Sequence, residues 1–296
     1  MTKVSDVIKA IEAVAPLRYQ DEWDNSGLQV GFPEDKVRGV LVCLDVTEAI
    51  VDEAVEKGCS MIVSHHPLLF HPLSQVSDVT YQQRCVTKAL HAGIAIYSAH
   101  TSLDNAPGGV NHKIAELIGL EKLEWLEPRW VAEACGGDCR KGSSCGSDEK
   151  APAGSGLIGE LPGAVQAEAF LDALKATFGV QCLRHSDLKE CTTDRDEKPG
   201  ATKGGQNPRA IKKIALCGGA GAFLMQKAIE KGADCFITGE FHYHDYFEND
   251  GMLLVELGHY QSEQFTQNLL KDIIAEALPK VNIMLTEINT NPIQYQ

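Results

Sequence analysis

Two adjacent histidines, His65 and His66, follow the apolar run Met61-Ile62-Val63 and give the chain its first chemistry. The same residue types recur in His100-Thr101-Ser102-Leu103-Asp104 and in His259-Tyr260-Gln261-Ser262-Glu263. Imidazoles and carboxylates are nitrogen and oxygen ligands for divalent cations, and together these segments supply enough of them for a two-metal centre. Consecutive strand residues point to opposite faces, so His65 and His66 cannot serve one ion while the strand stays regular. Pro67 holds His66 extended, and a turn there lets the two rings address two neighbouring ions, or makes one a ligand and the other its support. The alternative is a pair of partly buried histidines with satisfied hydrogen bonds. His259 and Glu263 lie four residues apart at the start of an expected helix, on one face and about 5.4 Å apart along the axis. A carboxylate so placed can bridge two cations. His100 and Asp104 share that spacing, but turn formers between Thr101 and Gly109 make this segment an expected loop. Taken singly, a His-x-x-x-acid pair also suits a solvated helix face.

The elements that must position these groups alternate. Residues 4 to 15 have helical periodicity. Strands are expected at 40–44, 60–64 and 94–97, with helices at 47–57, 79–91 and 109–118. A middle region has a short strand near 157–159, a helix over 164–177 and a strand at 180–183. Further strands are expected at 211–217, 234–238, 253–257 and 281–286, with helices at 221–231 and 262–277. This βα alternation predicts an α/β fold of two lobes, each a mixed sheet flanked by helices. The division reads as 1–126 with 240–296 for a metal-binding lobe and 127–239 for a second lobe, with inserts near 135–155 and 186–208. His65, His66, His100, Asp104, Glu240, His242, His244 and His259 all fall just past expected strands. Open α/β sheets bind ligands beyond the carboxyl ends of their strands, so independent loops deliver polar groups to one rim and favour a dinuclear site there.

Weaker features have plainer readings. Leu216-Cys217-Gly218-Gly219-Ala220-Gly221 matches neither G-x-G-x-x-G nor the Walker A pattern and reads as close strand-to-helix packing. Cys135, Cys139 and Cys145 lack the C-x₂-C spacing of zinc ribbons and read as part of a flexible insert. Asp24-Asn25-Ser26 reads as a turn, with Asp24 in a position to reach the rim. The tail from Asn289 to Gln296 has no periodicity and suits a surface or interface.

Composition sets limits. At 296 residues the chain buries a sizeable core, and its formal charge of -14 argues against nonspecific nucleic-acid binding. No run approaches the roughly 20 apolar residues that span a membrane, and the first residues lack a signal-peptide pattern. Of ten cysteines, several sit singly inside apolar runs, which suits a reducing compartment. The expected location is the cytoplasm.

The motifs Trp23-Asp24-Asn25-Ser26-Gly27-Leu28, Ser64-His65-His66-Pro67, Ser98 to Asp104, Cys217 to Gly221, Gly239 to Asp245 and Gly258 to Glu263 run from residue 23 to residue 263. At these residues the chain closely resembles the GTP cyclohydrolase I type 2 homologues, the YbgI-like dinuclear metal-centre proteins. The resemblance implies His65, His66, Asp104, His259 and Glu263 as metal ligands, with Glu263 reaching both of two divalent ions. It implies His100 and His244 as groups that line the cavity, orient ligands or shuttle protons. It also implies a two-lobed α/β fold and assembly into toroidal homohexamers. The chain departs from shorter relatives in its Cys-rich stretch at 135–146 and charged stretch at 186–208, and it lacks the large central domain of longer ones.

The expected activity is therefore metal-dependent hydrolysis of a small molecule. The family name suggests GTP, whose imidazole ring would open with loss of formate. Phosphoester or nucleotide hydrolysis is the second enzymatic reading, since paired metals suit it equally. A non-catalytic metal-binding assembly protein is the third. Nitrogen and oxygen ligands without a thiolate suit Zn, Fe, Mn or Ni alike.

Overall fold

The computed structural model of the chain describes residues 1–131, 151–188, 210–294 and 296. Among them are strands β1 (Gly27–Val30), β2 (Val40–Cys43), β3 (Met61–Ser64), β4 (Ala95–Ser98), β5 (Glu121–Val131), β6 (Ala151–Gln166), β7 (Arg184–His185), β8 (Ala210–Cys217), β9 (Cys235–Thr238), β10 (Leu253–Glu256) and β11 (Ile283–Leu285). They make two mixed sheets with helices between the strands, which is the α/β class expected.

The chain divides into two compact units. The first comprises Met1–Val110 and Glu263–Gln296. Its sheet runs β1-β4-β3-β2-β11, with β1 antiparallel at one edge and the other strands parallel. Every residue of β2, β3 and β4 is buried. Continuous apolar runs of this kind suit parallel strands covered on both faces. The helix Glu48–Glu56 starts at Thr47, whose side chain accepts from Ile50 N. The helix Tyr81–Ala92 opens with a capping box between Thr80 and Gln83 and closes at Gly93 in the left-handed region. Ile50, Val51, Val86 and Ala89 from these helices meet Leu41, Ile62 and Ile96 in one core.

Register decides what the rim presents. Cys43 pairs with Ser64, and Ser64 with Ser98, so β2, β3 and β4 end level with one another. The residues that follow them, Asp45, His65, His66 and His100, consequently leave the sheet at the same height.

The second unit comprises Asn111–Ser262. Its sheet runs β5-β6-β8-β9-β10-β7, with β8, β9 and β10 parallel and the outer strands antiparallel. Leu126, Ile158, Ala215, Phe236, Met252 and Leu254 belong to its core.

Several expectations need correction. The division falls at Val110/Asn111 and Ser262/Glu263 rather than at 126/127 and 239/240, because β5 and β10 both pair into the second sheet. Neither β1 nor β5 was expected. β1 is a short edge strand interrupted by the polar Gln29, and it ends at Gly31, where an added Cβ would lie 2.8 Å from Ala95 Cα. β5 is a charged edge strand containing Pro128, which hides its pattern while suiting a sheet margin. The strand expected at 180–183 is absent; Gln181 and Cys182 are exposed, and pairing begins only at Arg184. The segment after His100 is a short helix, Thr101–Asp104, rather than a loop. The Cys135/Cys139/Cys145 insert and most of the charged stretch at 186–208 lie outside the described residues. Cys43, Cys59, Cys85, Cys182, Cys217 and Cys235 are not disulfide-bonded. Among the described residues no helix is long and apolar enough to cross a membrane.

Candidate metal centre

The turn that the His65-His66 pair requires is built by two serines. Ser64 Oγ and Ser98 Oγ lie 2.8 Å apart at the level ends of β3 and β4, and both donate to the His66 carbonyl, at 2.8 and 3.2 Å. The backbone of both histidines still bonds to the neighbouring segment, His65 N to Cys43 O and His66 N to Leu44 O. With the chain drawn in at this point, the two imidazole centroids stand 4.8 Å apart.

His65 is wholly buried, and its Nδ1 donates to the Ala99 carbonyl at 2.8 Å. A carbonyl can only accept, so the ring's lone pair in the neutral form is on Nε2. That Nε2 has no hydrogen-bond partner. Asp104 Oδ1 and Glu263 Oε1 each stand 3.7 Å from it, beyond hydrogen-bond reach. Burial lowers the pKa of this ring, but Asp104 and Glu263 outweigh it and raise the pKa, so the three groups favour a positive charge among them, which a metal cation could supply. Two ligands at about 2.1 Å from one ion in tetrahedral geometry stand about 3.4 Å apart, so the spacing suits a shared ion. His65, Asp104 and Glu263 form one group that can hold a metal, and His65, His66 and His100 form another, with ligand atoms within 4.8 Å of one another in each.

His66 is held from both sides. Nδ1 lies 2.7 Å from Asp45 Oδ1, and Nε2 lies 3.0 Å from Glu263 Oε2. Burial opposes charge on this ring, but the hydrogen bonds to Asp45 and Glu263 prevail and lift its pKa to about 10. In the absence of metal it is therefore an imidazolium clamped between two carboxylates. Burial pushes the Asp104 carboxyl up to about 6, against the attraction of His65 and with repulsion from Glu263 added. The Asp104 side chain keeps 22% of its exposure, yet its Oδ1 is sealed from solvent. Glu263 divides its oxygens, Oε1 towards His65 and Oε2 towards His66.

Two supports escaped sequence reasoning or were only glimpsed by it. Asp45 follows β2 just as His65 follows β3, so the strand-end rule that found the histidines would have found it. Its other oxygen accepts from Thr290 Oγ1 at 2.7 Å, which ties the pattern-free tail to the site. Asp24 does reach the rim: it accepts from His100 Nδ1 at 2.8 Å and from Thr101 N, Thr101 Oγ1 and Ser26 Oγ. This borrowed carboxylate caps the helix Thr101–Asp104 and thereby sets Asp104 in place. Burial pushes the Asp24 carboxyl up, but the bonds from His100, Thr101 and Ser26 hold it well below the usual carboxylate range.

The first unit thus gathers His65, His66, His100, Asp104 and Glu263 by itself. The other expected residues belong to the second unit. His259 opens the short helix His259–Glu263, and its Nδ1 lies 2.8 Å from Glu240 Oε1. His244 is exposed beside Tyr243, ring centroids 5.3 Å apart. The glycine-rich turn is occupied by its own unit: Gly218 N donates to Asn111, Gly219 N to Ser262 and Gly221 N to Thr238. These bonds fit the close-packing reading and leave no phosphate cradle at those three amides.

Known proteins share this architecture. The family profile for Duf34/NIF3 (NGG1p interacting factor 3) matches residues 2–292. A "GTP cyclohydrolase 1 type 2 homolog" from Lactococcus lactis is 32% identical over 292 residues, covering 98% of each chain. A relative of the same description from Clostridium acetobutylicum is 29% identical over 301 residues, covering 99% of each chain. Among solved structures, a Staphylococcus aureus hypothetical protein superposes with a TM-score of 0.81 at 25% identity, with 99% of each chain covered. A Bacillus cereus protein related to NIF3 gives a TM-score of 0.80 at 24% identity, covering both chains entirely.

Proposed function

The chain belongs to the Duf34/NIF3 family, and from that premise we propose that it is a metal-dependent hydrolase whose centre is held by His65, His66, Asp104 and Glu263. The observation that carries the proposal is the buried Nε2 of His65 facing Asp104 and Glu263 with no hydrogen-bond partner of its own. Glu263, with one oxygen towards His65 and the other towards His66, would suit a centre of two ions per chain. When bound, divalent ions supply Lewis acidity and activate water near neutral pH. The protein's own groups do the rest. His65 is aimed by its bond to Ala99, and His66 by its bond to Asp45. His100 Nδ1 is held by Asp24, which leaves Nε2 to take a proton from the attacking water and return it to the departing atom.

The relatives' description suggests opening of the GTP imidazole ring, in which one water adds to the carbon between the two ring nitrogens and breaks one C–N bond, and a second water breaks the other and releases formate. Incubating metal-loaded protein with GTP, while formate and phosphate are both followed, tests this. Formate release supports the reading, and phosphate without formate replaces it with phosphoester hydrolysis. Absence of turnover with Zn, Fe, Mn or Ni reduces the protein to a metal binder. Hexameric assembly belongs to the same proposal, and a solution mass of six chains by light scattering is its check.

A further inference from the structure

Beside the centre, three rings form an arrangement that metal binding does not need. Trp23 and Phe70 are stacked, with centroids 6.4 Å apart and planes 9° from parallel. His100 stands edge-on to both, 5.8 Å from Trp23 at 75° and 5.3 Å from Phe70 at 84°. Two parallel walls therefore meet a perpendicular floor. Trp23 is 64% exposed and Phe70 41% exposed, so neither is a core residue.

The walls are also tied together. Asn25 Nδ2 donates to Leu69 O at 2.6 Å, and Leu69 N donates to Gln29 Oε1 at 3.2 Å. These bonds join the segments that flank Trp23 and Phe70. Asp24, between Trp23 and Asn25, fixes the floor through His100. The hydrogen bonds hold two partly exposed aromatic rings parallel beside the centre, and apolar surface of this kind suits a ligand that covers it.

The geometry points to a binding box for a planar heteroaromatic ring, with Trp23 and Phe70 as its walls and His100 as its floor. A flat ring between two faces needs about 3.5 Å on each side, or about 7 Å in all, so the two rings must part to admit it. Exposed side chains on loops supply that small opening. Stacking recognises the ring face of any base, and the His100 ring stands edge-on beside both walls. The box names the substrate class of the hydrolase and rests on that reading only for what happens to the ring once held.

Binding in metal-free protein separates the two. Quenching of tryptophan fluorescence and calorimetry would be followed with guanosine monophosphate and, as the same sugar phosphate without a ring, ribose 5-phosphate. Choline serves as a cationic probe. The nucleotide is expected to bind at least tenfold more tightly than ribose 5-phosphate. Trp23→Ala should weaken it roughly 5- to 150-fold, with Trp23→Phe recovering most of the loss. Both variants should retain the parent melting temperature and metal stoichiometry. Equal affinity for the two phosphates, no binding of either, unaltered binding by Trp23→Ala, or preference for choline each overturns the box. Tight nucleotide binding by a protein that takes up no metal would sink the hydrolase reading and leave the box standing.

Discussion

Each unit ends three parallel strands level with one another, yet the two rims are finished differently. In the second unit Cys217 pairs with Thr238, and Thr238 with Glu256, and glycines follow. Thr238 Oγ1 donates to Gly219 O and accepts from Gly221 N; Gly239 N donates to Gly219 O, and Gly258 N to Gly239 O. These neutral groups satisfy one another, and beyond them Glu240 pairs with His259. In the first unit the matching positions carry Asp45, His65, His66 and His100, and the carboxylates of Asp104 and Glu263 close in on them. The difference teaches where chemistry is stored on a shared scaffold. A rim closed by its own hydrogen bonds leaves few groups for a ligand, whereas a rim that concentrates buried charge could hold a cation.

That contrast can be broken at several points. Glu263→Ala should have the largest effect, because it removes the carboxylate that faces both histidines. Loss of bound metal by elemental analysis is expected, and unchanged stoichiometry would refute the bridging role. Asp45→Asn should leave the ligands present but free the His66 ring to turn. A fall of about 10- to 100-fold in metal affinity is expected by analogy with other outer partners of metal-bound histidines, measurable by competition with a chelator. Asp24→Asn should cost about 2 kcal/mol near neutral pH and alter the acid limb of stability. The folded carboxyl sits below its unfolded value of about 3.9, so its contribution is complete above that value and fades as pH falls. Denaturant titrations of metal-free protein between about pH 5 and 2 should show a shallower decline in the variant, and identical slopes would contradict the assignment. Thr238→Val, in the second unit, should cost about 1–3 kcal/mol by orphaning Gly221 N and removing one of the two donors to Gly219 O. Metal content should not change; if it did, the division of labour between the rims would fail.

Much of this was legible in the sequence because it rests on short-range pattern. The apolar runs at 40–44, 60–64 and 234–238 became buried parallel strands. Strand ends located the histidines without any contact being known. What escaped depends on partners far along the chain. The helix Thr101–Asp104 looks like a loop locally because its cap is Asp24, 77 residues earlier. Thr290 carries no signal at all until its bond to Asp45, 245 residues away, is seen. β5 was missed for another reason. An edge strand is under pressure to avoid the alternating apolar pattern by which strands are recognised.

The link from Thr290 through Asp45 to His66 also bears on how the molecule is made. Residues 45, 65, 66 and 104 emerge from the ribosome well before Glu263 and Thr290. Bridging separations of 197 and 245 residues costs loop-closure entropy that no local contact offsets. The nascent first unit therefore lacks β11 and the Glu263 carboxylate until residues 111–262 of the second unit have been made. A partly made chain holds His65 and His66 without Glu263, so this charged cluster closes only after the second unit has been made.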